Sequence, residues 1–160
     1  MHLLKRFAFR GTYLILRFYW FLFRPHTYGA KVAIERDGKV LLVKHSYGSR
    51  AWCFPGGGQK RGESLEETAK REVKEEVGLD LASVEFIGNF VSKNEYKHDH
   101  VHVFLAHVPT GEVRIDGEEI VAHEWATHST QKAWTPNGER IWQMYLSHMR
   151  LKNGSDIVME

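Results

Sequence analysis

Hydrophobic and polar positions follow two different periods along this chain. From residue 3 to residue 24 the apolar positions recur with a helical period, and Pro25 ends this helix because proline disfavours helical geometry in the preceding residue. From residue 31 the period becomes two, and residues 31–36 and 39–45 flank Asp37-Gly38, which predicts a β-hairpin. The same alternation predicts further strands over residues 83–92, 98–108 and 120–128.

Two more helices are predicted after the hairpin. The first covers residues 65–77, because Ser64 and Glu67 have the spacing of a capping box and a glycine follows the last apolar position. A closing helix is expected over residues 138–151, with Asn137 as its N-cap. Strands on both sides of one early helix, followed by a terminal helix, predict an α/β fold with a mixed sheet between helices.

Composition divides the chain into two electrically different parts. The 22 Lys and Arg residues nearly balance the 20 Asp and Glu residues, and the formal net charge is +2. Residues 1–24 hold five of the basic residues, none of the acidic ones, and eight of the 20 aromatic residues, which leaves residues 25–160 with a charge of about −3. The single cysteine, Cys53, excludes an intrachain disulfide and favours a reducing, cytoplasmic compartment.

The leading helix, residues 3–24, has two open roles. Arg17 interrupts its apolar run, which argues against both a transmembrane span and a cleaved signal peptide. Four of its arginines fall within about 40° of one another on a helical wheel, and the remaining arc is mostly apolar. Such a helix either docks on its own domain or on a second copy in a homodimer, or lies on an anionic membrane surface, here the inner face of the membrane.

Acidic residues of the helix over residues 65–77 lie on the wrong face for a solvated helix. At about 100° per residue, Glu72 and Glu76 fall within about 20° of the centre of the apolar face, and Glu75 lies just outside it. Carboxylates at this spacing repel one another, and partial burial makes the repulsion worse unless a cation is present. The alternative is a surface helix whose acids face water. Oxygen ligands without cysteine or histidine favour Mg²⁺, with Mn²⁺ as a substitute, over zinc.

The same residues carry a resemblance to a known family. Gly57, five residues, Glu63, seven residues and then Arg71-Glu72-Val73-Lys74-Glu75-Glu76-Val77-Gly78-Leu79 match the Nudix box at every defined position. The chain therefore resembles the Nudix hydrolases over residues 28–149. The resemblance implies an α/β/α sandwich with a mixed β-sheet at residues 28–150. The amphipathic helix of residues 1–24 lies outside the resemblance, and a C-terminal tail is expected at residues 151–160.

The resemblance also implies a reaction and a set of site residues. The reaction is divalent-metal-dependent hydrolysis of the pyrophosphate linkage in a nucleoside diphosphate derivative, such as a nucleoside triphosphate or a dinucleoside polyphosphate. Glu63 and Arg71 would support the loop and the helix by pairing. A late ligand preceding a tryptophan would match Glu124, with Glu119 as its competitor. The implied metal ligands are the carbonyl of Gly57 and the carboxylates of Glu72, Glu75, Glu76 and Glu124. The three glutamates of the helix, Glu72, Glu75 and Glu76, are also the implied catalytic residues.

Substrate contacts are expected from Tyr96, His100 and Trp125. Tyr96 lies 17 residues beyond Leu79, a spacing that the family associates with dinucleoside polyphosphate hydrolases, and the absence of a proline there disfavours ADP-ribose. His100 belongs to an alternating run of three histidines that could bind zinc, form a polar sheet face or line the cleft. The alternative function is a nucleotide-sensing module without catalysis. A specific nucleic-acid partner is not expected, because the body is acidic and carries no recognition motif.

Overall fold

The structure is a computed structural model that describes residues 2–49, 51–93, 96–115, 117–127, 129–130 and 132–155, with the backbone alone at residues 2–10 and 153–155. Three helices and five strands make up this part of the chain. The helices are α1 (His2–Phe23), α2 (Leu65–Val77) and α3 (Pro136–Ser155). The strands are β1 (His26–Arg36), β2 (Lys39–His45), β3 (Glu85–Ser92), β4 (His98–His107) and β5 (Ile120–Ala126).

The five strands form one mixed sheet in the order β3-β4-β1-β2-β5. β1 and β4 run parallel, whereas the other neighbouring strands are antiparallel, so the predicted mixed sheet is confirmed. β1 begins at His26, five residues before the expected start, because its early backbone pairs with β4 from His26 opposite His98 onwards. This pairing joins residues far apart in sequence, and alternation within β1 does not reveal it.

The sheet is covered on both faces, which confirms the expected α/β/α sandwich. Side chains alternate along β1, so Val32 and Ile34 pack with α2, whereas Ala33 packs with α3. The α3 side also buries Tyr145 completely. Each helix thus turns one apolar stripe to the sheet, as two-layer packing on each face requires.

Local capping fixes both ends of α2 where the sequence predicts them. The hydroxyl of Ser64 accepts a hydrogen bond from the Glu67 backbone N–H, and the Glu67 carboxylate accepts one from the Ser64 N–H at 2.7 Å. Gly78 follows in the left-handed conformation with φ of 73°. The capping box therefore orients the helix that carries the glutamates.

The beginning of α3 differs from the expectation. The Gly138 N–H donates to Thr135 Oγ1 at 2.9 Å, so Thr135 caps the helix and the prediction of Asn137 as the cap was wrong. Pro136 takes the first helical position, where its missing N–H leaves no partner unsatisfied. The helix continues to Ser155, so the first part of the predicted tail is helical, and residues 156–160 lie outside the described residues.

Helix α1 contacts the domain along a narrow stripe. The ring of Tyr13 packs on that of Tyr47 with centroids 5.3 Å apart, and Lys97 Nζ lies 4.4 Å from the ring centre of Trp20. The helix ends at Phe23, and Arg24 takes a positive φ of 43° before Pro25. Within the described chain, none of the helices combines the length and the apolar character that crossing a membrane requires.

Candidate active site

The glycine-rich loop lies along β1 and is held there by backbone hydrogen bonds. Val32 N–H donates to Pro55 O at 2.9 Å, and Ala30 N–H donates to Gly57 O at 3.0 Å. Gly56 has φ of 126°, and a Cβ there would overlap the Ala30 carbonyl, so only glycine fits. The predicted loop is therefore an extended segment that lies beside β1 and contacts α2.

Helix α2 presents its glutamates to this loop in the graded way that its period predicts. The Glu76 side chain is 3% exposed, that of Glu72 is 16% exposed and that of Glu75 is 54% exposed. Gly56 N–H donates to Glu76 Oε2 at 2.8 Å. A Cβ at Gly57 would overlap the Glu72 carboxylate, which places the two in direct contact.

Glu76 is the most strongly perturbed acid of the site. Burial raises the pKa of its carboxyl to about 8, and the neighbouring carboxylates of Glu119 and Glu72 act in the same direction. Lys31 and the Gly56 N–H oppose this pKa shift without cancelling it. Glu76 therefore carries a proton at neutral pH unless a cation stabilises its charge.

Two further residues meet Glu76 from the sheet. His45, Glu76 and Glu119 each offer one ligand atom, and these three atoms lie within 4.8 Å of one another. The strand register explains the meeting: His45 pairs with Ile120, and Ser46 N–H donates to the Glu119 carbonyl at 2.8 Å. The register of β2 with β5 shifts between Lys44 and His45, and such bulges are common beside functional sites.

His45 is suited to donate a lone pair. Burial lowers the pKa of its imidazole to about 3, with a further contribution from Lys31, so the ring is neutral. Its Nδ1 is buried and accepts or donates no hydrogen bond within the described structure, and its Nε2 lies 4.0 Å from Glu76 Oε1. The sequence analysis missed this residue and assumed an all-oxygen cluster. The signal that could have found it is its place at the end of β2, opposite the start of β5.

Tyr47 contacts both Glu119 and His45. Its hydroxyl donates to Glu119 Oε1 at 2.8 Å, and its ring lies 5.0 Å from the ring of His45. Burial, followed by the charge of Glu119, raises the pKa of Tyr47 above its usual range, so the hydroxyl stays a donor. Glu119 is thereby held next to Glu76 by a fixed hydrogen bond.

Arg71 and Glu63 form the support beneath the glutamates. Arg71 Nε donates to Glu63 Oε1 at 2.6 Å, and its Nη2 donates to Glu63 Oε2 at 2.9 Å and to Gly58 O at 3.0 Å. The bidentate pair, with help from the Lys60 N–H, lowers the pKa of Glu63 to about 2. Arg71 Nη1 also donates to Glu72 Oε1 at 2.5 Å, so this network sets where Glu72 points.

The structure does not bring Glu124 to the cluster. Glu124 lies opposite Leu42, which packs on the α3 side of the sheet. Its carboxylate accepts from Lys132 Nζ at 2.6 and 2.7 Å, and that ammonium group lies 5.0 Å from the ring centre of Trp52. Of the two carboxylates considered for the late ligand, Glu119 is the one beside Glu76.

The three expected substrate contacts lie in different places. Tyr96 takes a positive φ of 66° and packs against Phe21 of α1, with ring centroids 5.2 Å apart. His100 stacks on Tyr28 at 4.6 Å. Trp125 packs on the core cluster beneath α2, where the Arg36 guanidinium lies 4.6 Å from its ring centre. None of the three is among the described residues that line the pocket beside the cluster.

A pocket of about 690 Å³ opens beside the cluster, and His45 belongs to both. Its wall combines β1, the segment after β2, the start of α3 and one face of α1. This volume is typical of sites that hold a small organic ligand. The lining includes three aromatic side chains, one histidine and one cysteine. It also includes three basic side chains, which are Arg17, Lys31 and Lys97.

Comparison with known proteins agrees with this geometry. The NUDIX domain family matches residues 25–142. An ADP-ribose pyrophosphatase of Methanocaldococcus jannaschii is 34% identical over 125 residues, covering 76% of this chain and 72% of that protein. An RNA pyrophosphohydrolase of Saccharophagus degradans is 41% identical over 66 residues, covering 41% of this chain and 38% of that protein.

A solved structure extends the likeness to three dimensions. The MutT NUDIX hydrolase from Burkholderia pseudomallei superposes with a TM-score of 0.68 at 26% sequence identity, covering 74% of this chain and 97% of that one. Helix α1 lies outside the residues that the family matches. The matched span, the fold and the relatives together show that this chain belongs to the Nudix family of pyrophosphohydrolases.

Proposed function

We propose that this protein hydrolyses the pyrophosphate linkage of a nucleoside diphosphate derivative by attack of water at phosphorus, with a divalent cation bound by the glutamates of α2. The observation that carries the proposal is the buried Glu76 carboxyl beside Glu119 and His45, because His45 also lines a pocket of about 690 Å³. A buried acid beside a half-buried one is unfavourable without a compensating cation, and a divalent ion would neutralise both.

The donor set fits such an ion. In the cluster, Glu76 and Glu119 offer carboxylate oxygens and His45 adds a neutral imidazole nitrogen. Glu72, whose carboxylate accepts from Arg71, and Glu75, at the solvent side, offer further oxygens from the same helix. Oxygen donors favour Mg²⁺, whereas the imidazole makes Mn²⁺ an equally suitable occupant. A bound divalent cation supplies charge that polarises phosphoryl oxygens and acidifies water.

Residues of the chain itself would bind the phosphate, take the proton from water and orient the base. Lys31 reaches the loop by donating to the Gly56 carbonyl and lines the pocket, so it offers positive charge to a phosphate. The base that takes the proton from water is either Glu72, within the box, or Glu119, in the segment before β5. Arg71 keeps Glu72 in place by a hydrogen bond at 2.5 Å.

Activity assays with a matched pair of variants test the proposal. The purified protein would be given ATP, diadenosine tetraphosphate and ADP-ribose with Mg²⁺ or Mn²⁺, and the products would be identified. Glu76→Gln is expected to lose at least about a hundredfold in kcat/KM, because a contact to a charged group contributes roughly 3 kcal/mol. Glu66→Gln removes an exposed acid from the same helix and should retain full activity. An inert wild type, or an active Glu76→Gln, contradicts the proposal.

We also propose that α1 binds an anionic membrane surface. Apolar side chains on the outer side of the helix are strongly exposed, with Ile15 at 73%, Phe18 at 64% and Leu22 at 57%. Spacings of three and four residues place them on one face. The five basic residues and absence of acids in residues 1–24 favour anionic lipid as the occupant. A second copy of the chain is the competing occupant, and vesicle flotation together with light scattering separates the two.

A further inference from the structure

Helix α1 forms one wall of the pocket beside the proposed metal site. Tyr13, Leu14 and Arg17 line this pocket together with residues of the Nudix domain. The family match begins at residue 25, so these three side chains come from outside it. The pocket is thus completed by a segment that the domain's own pattern does not include.

Contacts connect α1 to the site without a gap. The Tyr13 ring packs on Tyr47, the Tyr47 ring packs on His45, and the Tyr47 hydroxyl donates to Glu119. A Cβ at Gly48 would lie 3.8 Å from the Tyr13 hydroxyl, so Tyr13 covers the turn after Tyr47. The helix therefore occupies a defined place over the pocket, and Arg17 lies one turn, about 6 Å, farther along it.

The three basic side chains of the pocket differ in how their charges are used. Lys31 donates to the Gly56 carbonyl and acts on Glu76. Lys97 lies 3.5 Å from the Asp99 carboxylate and against the ring of Trp20. Arg17, in contrast, pairs with no carboxylate anywhere in the described part of the chain. Lys31 thus offers its charge beside Glu76, whereas the charge of Arg17 is left for a group of the ligand that lies outside this cluster.

Tyr96 supports Arg17 from the domain side. The Arg17 guanidinium lies 5.7 Å from the centre of the Tyr96 ring, and Phe21 packs on the same ring. Tyr96 adopts a positive φ of 66°, a conformation that costs energy for a tyrosine and persists only where the surroundings stabilise it. Tyr96, on the segment that leads into β4, thus provides an aromatic ring beneath the guanidinium.

We propose that Arg17 of α1 binds an anionic group of the substrate that lies beyond the hydrolysed linkage, and so selects nucleotides with additional phosphates. This inference rests on the proposed function, because it identifies the substrate class of the same pocket. Planar guanidinium groups bind phosphate through paired hydrogen bonds. ATP and diadenosine tetraphosphate offer further phosphates to Arg17, whereas ADP-ribose offers a neutral ribose beyond its diphosphate.

Steady-state kinetics of the full-length protein on these three substrates test the inference. Arg17→Ala is expected to raise KM for ATP and for diadenosine tetraphosphate about tenfold, the equivalent of one charge-assisted contact, with kcat changed less than about twofold. KM for ADP-ribose should stay within about twofold. Arg17→Lys should recover part of the loss, and Arg150→Ala removes an exposed arginine from α3 as the matched control.

Calorimetric titration with Ca²⁺ and ATP separates this inference from the proposed function. If the wild type binds ATP without hydrolysing any substrate, and Arg17→Ala weakens binding about tenfold, the inference holds while the proposed catalysis fails. If the wild type is active and Arg17→Ala leaves KM for all three substrates unchanged, the inference is overturned while catalysis stands. An equal rise in KM for all three substrates also overturns the selection of additional phosphates. A wild type that neither binds nor hydrolyses overturns both.

Discussion

Glu119 and Glu124 show how one residue's strand register decides its chemistry. Glu119 directly precedes β5 and lies beside Glu76 and His45, whereas Glu124 lies within β5 and pairs with Lys132. We expect Glu119→Gln to weaken Mn²⁺ binding and to lower kcat by at least about tenfold, because even residues that only support metal ligands contribute about ten- to hundredfold. Glu124→Gln should leave both quantities within about twofold of the wild type.

Mn²⁺ binding followed by paramagnetic resonance, together with kcat for each variant, would check this pair. The two substitutions make the same chemical change five residues apart, so each serves as the control for the other. Equal losses in both variants, or a loss in Glu124→Gln alone, would contradict the assignment of Glu119 to the site.

Cys53 provides a residue-scale test of the core beside the pocket. Burial raises the pKa of its thiol to about 11 from an ordinary value of 9.0, and its Sγ lies 3.6 Å from the Val43 carbonyl oxygen. Since the folded state favours the protonated thiol, the stability contributed by this group is complete below about pH 9 and is lost as the pH rises through about 11.

The measurement is the rate of reaction with a disulfide reagent at pH 8. The thiolate is the reactive form, so the native protein should react far more slowly than the protein unfolded in guanidinium. A native rate equal to the unfolded rate would show that Cys53 is accessible, contrary to the packing described here.

The site residues divide by whether a local pattern can reveal them. Glu72 and Glu76 could be placed from the sequence, because the helical period alone sets their angle to the apolar face. His45 and Glu119 could not, because they meet only through the pairing of β2 with β5. Periodicity within each segment carries no information on that register.

The ends of a helix can be predicted from the sequence where the capping residues lie next to those ends. The limits of α2 agree with the prediction because Ser64, Glu67 and Gly78 act within a few residues of the ends they define. The early start of β1 depends instead on pairing with β4, across more than 70 residues. The N-cap of α3 was misplaced by two residues, since Thr135 and Asn137 are both good capping residues and only packing distinguishes them.

Helix α1 reverses the usual orientation of an amphipathic helix on its domain. The helix itself was predictable from its period and from Pro25. Apolar positions normally face the core, but here the side that carries Tyr13 and Arg17 faces the pocket, and Phe18 points away from it. The pattern alone left docking and membrane binding open, because it does not show which arc contacts the domain.

For the whole molecule, this orientation places two different surfaces on one helix. The side with Tyr13 and Arg17 closes the pocket of an acidic domain, and the apolar arc of Ile15, Phe18 and Leu22 remains exposed. Burying such an arc in the headgroup region of a bilayer removes apolar surface from water, and the net positive charge of residues 1–24 attracts the whole helix to an anionic surface. Substrate binding and membrane binding therefore use opposite sides of α1 and do not compete.

Vesicle flotation of the full-length protein tests the membrane proposal. The wild type should float with vesicles of phosphatidylcholine and phosphatidylserine, less with phosphatidylcholine alone, and less at high salt, because salt screens the attraction to anionic lipid. The triple variant Ile15→Gln, Phe18→Gln, Leu22→Gln should lose most of its binding. Leu151→Gln, which alters a side chain 75% exposed on α3, should float like the wild type. The other outcome is that the wild type stays in solution and that light scattering shows a dimer for the wild type and a monomer for the triple variant. In that case the apolar arc is an interface between copies and the membrane proposal is wrong, because the same surface then has a different occupant.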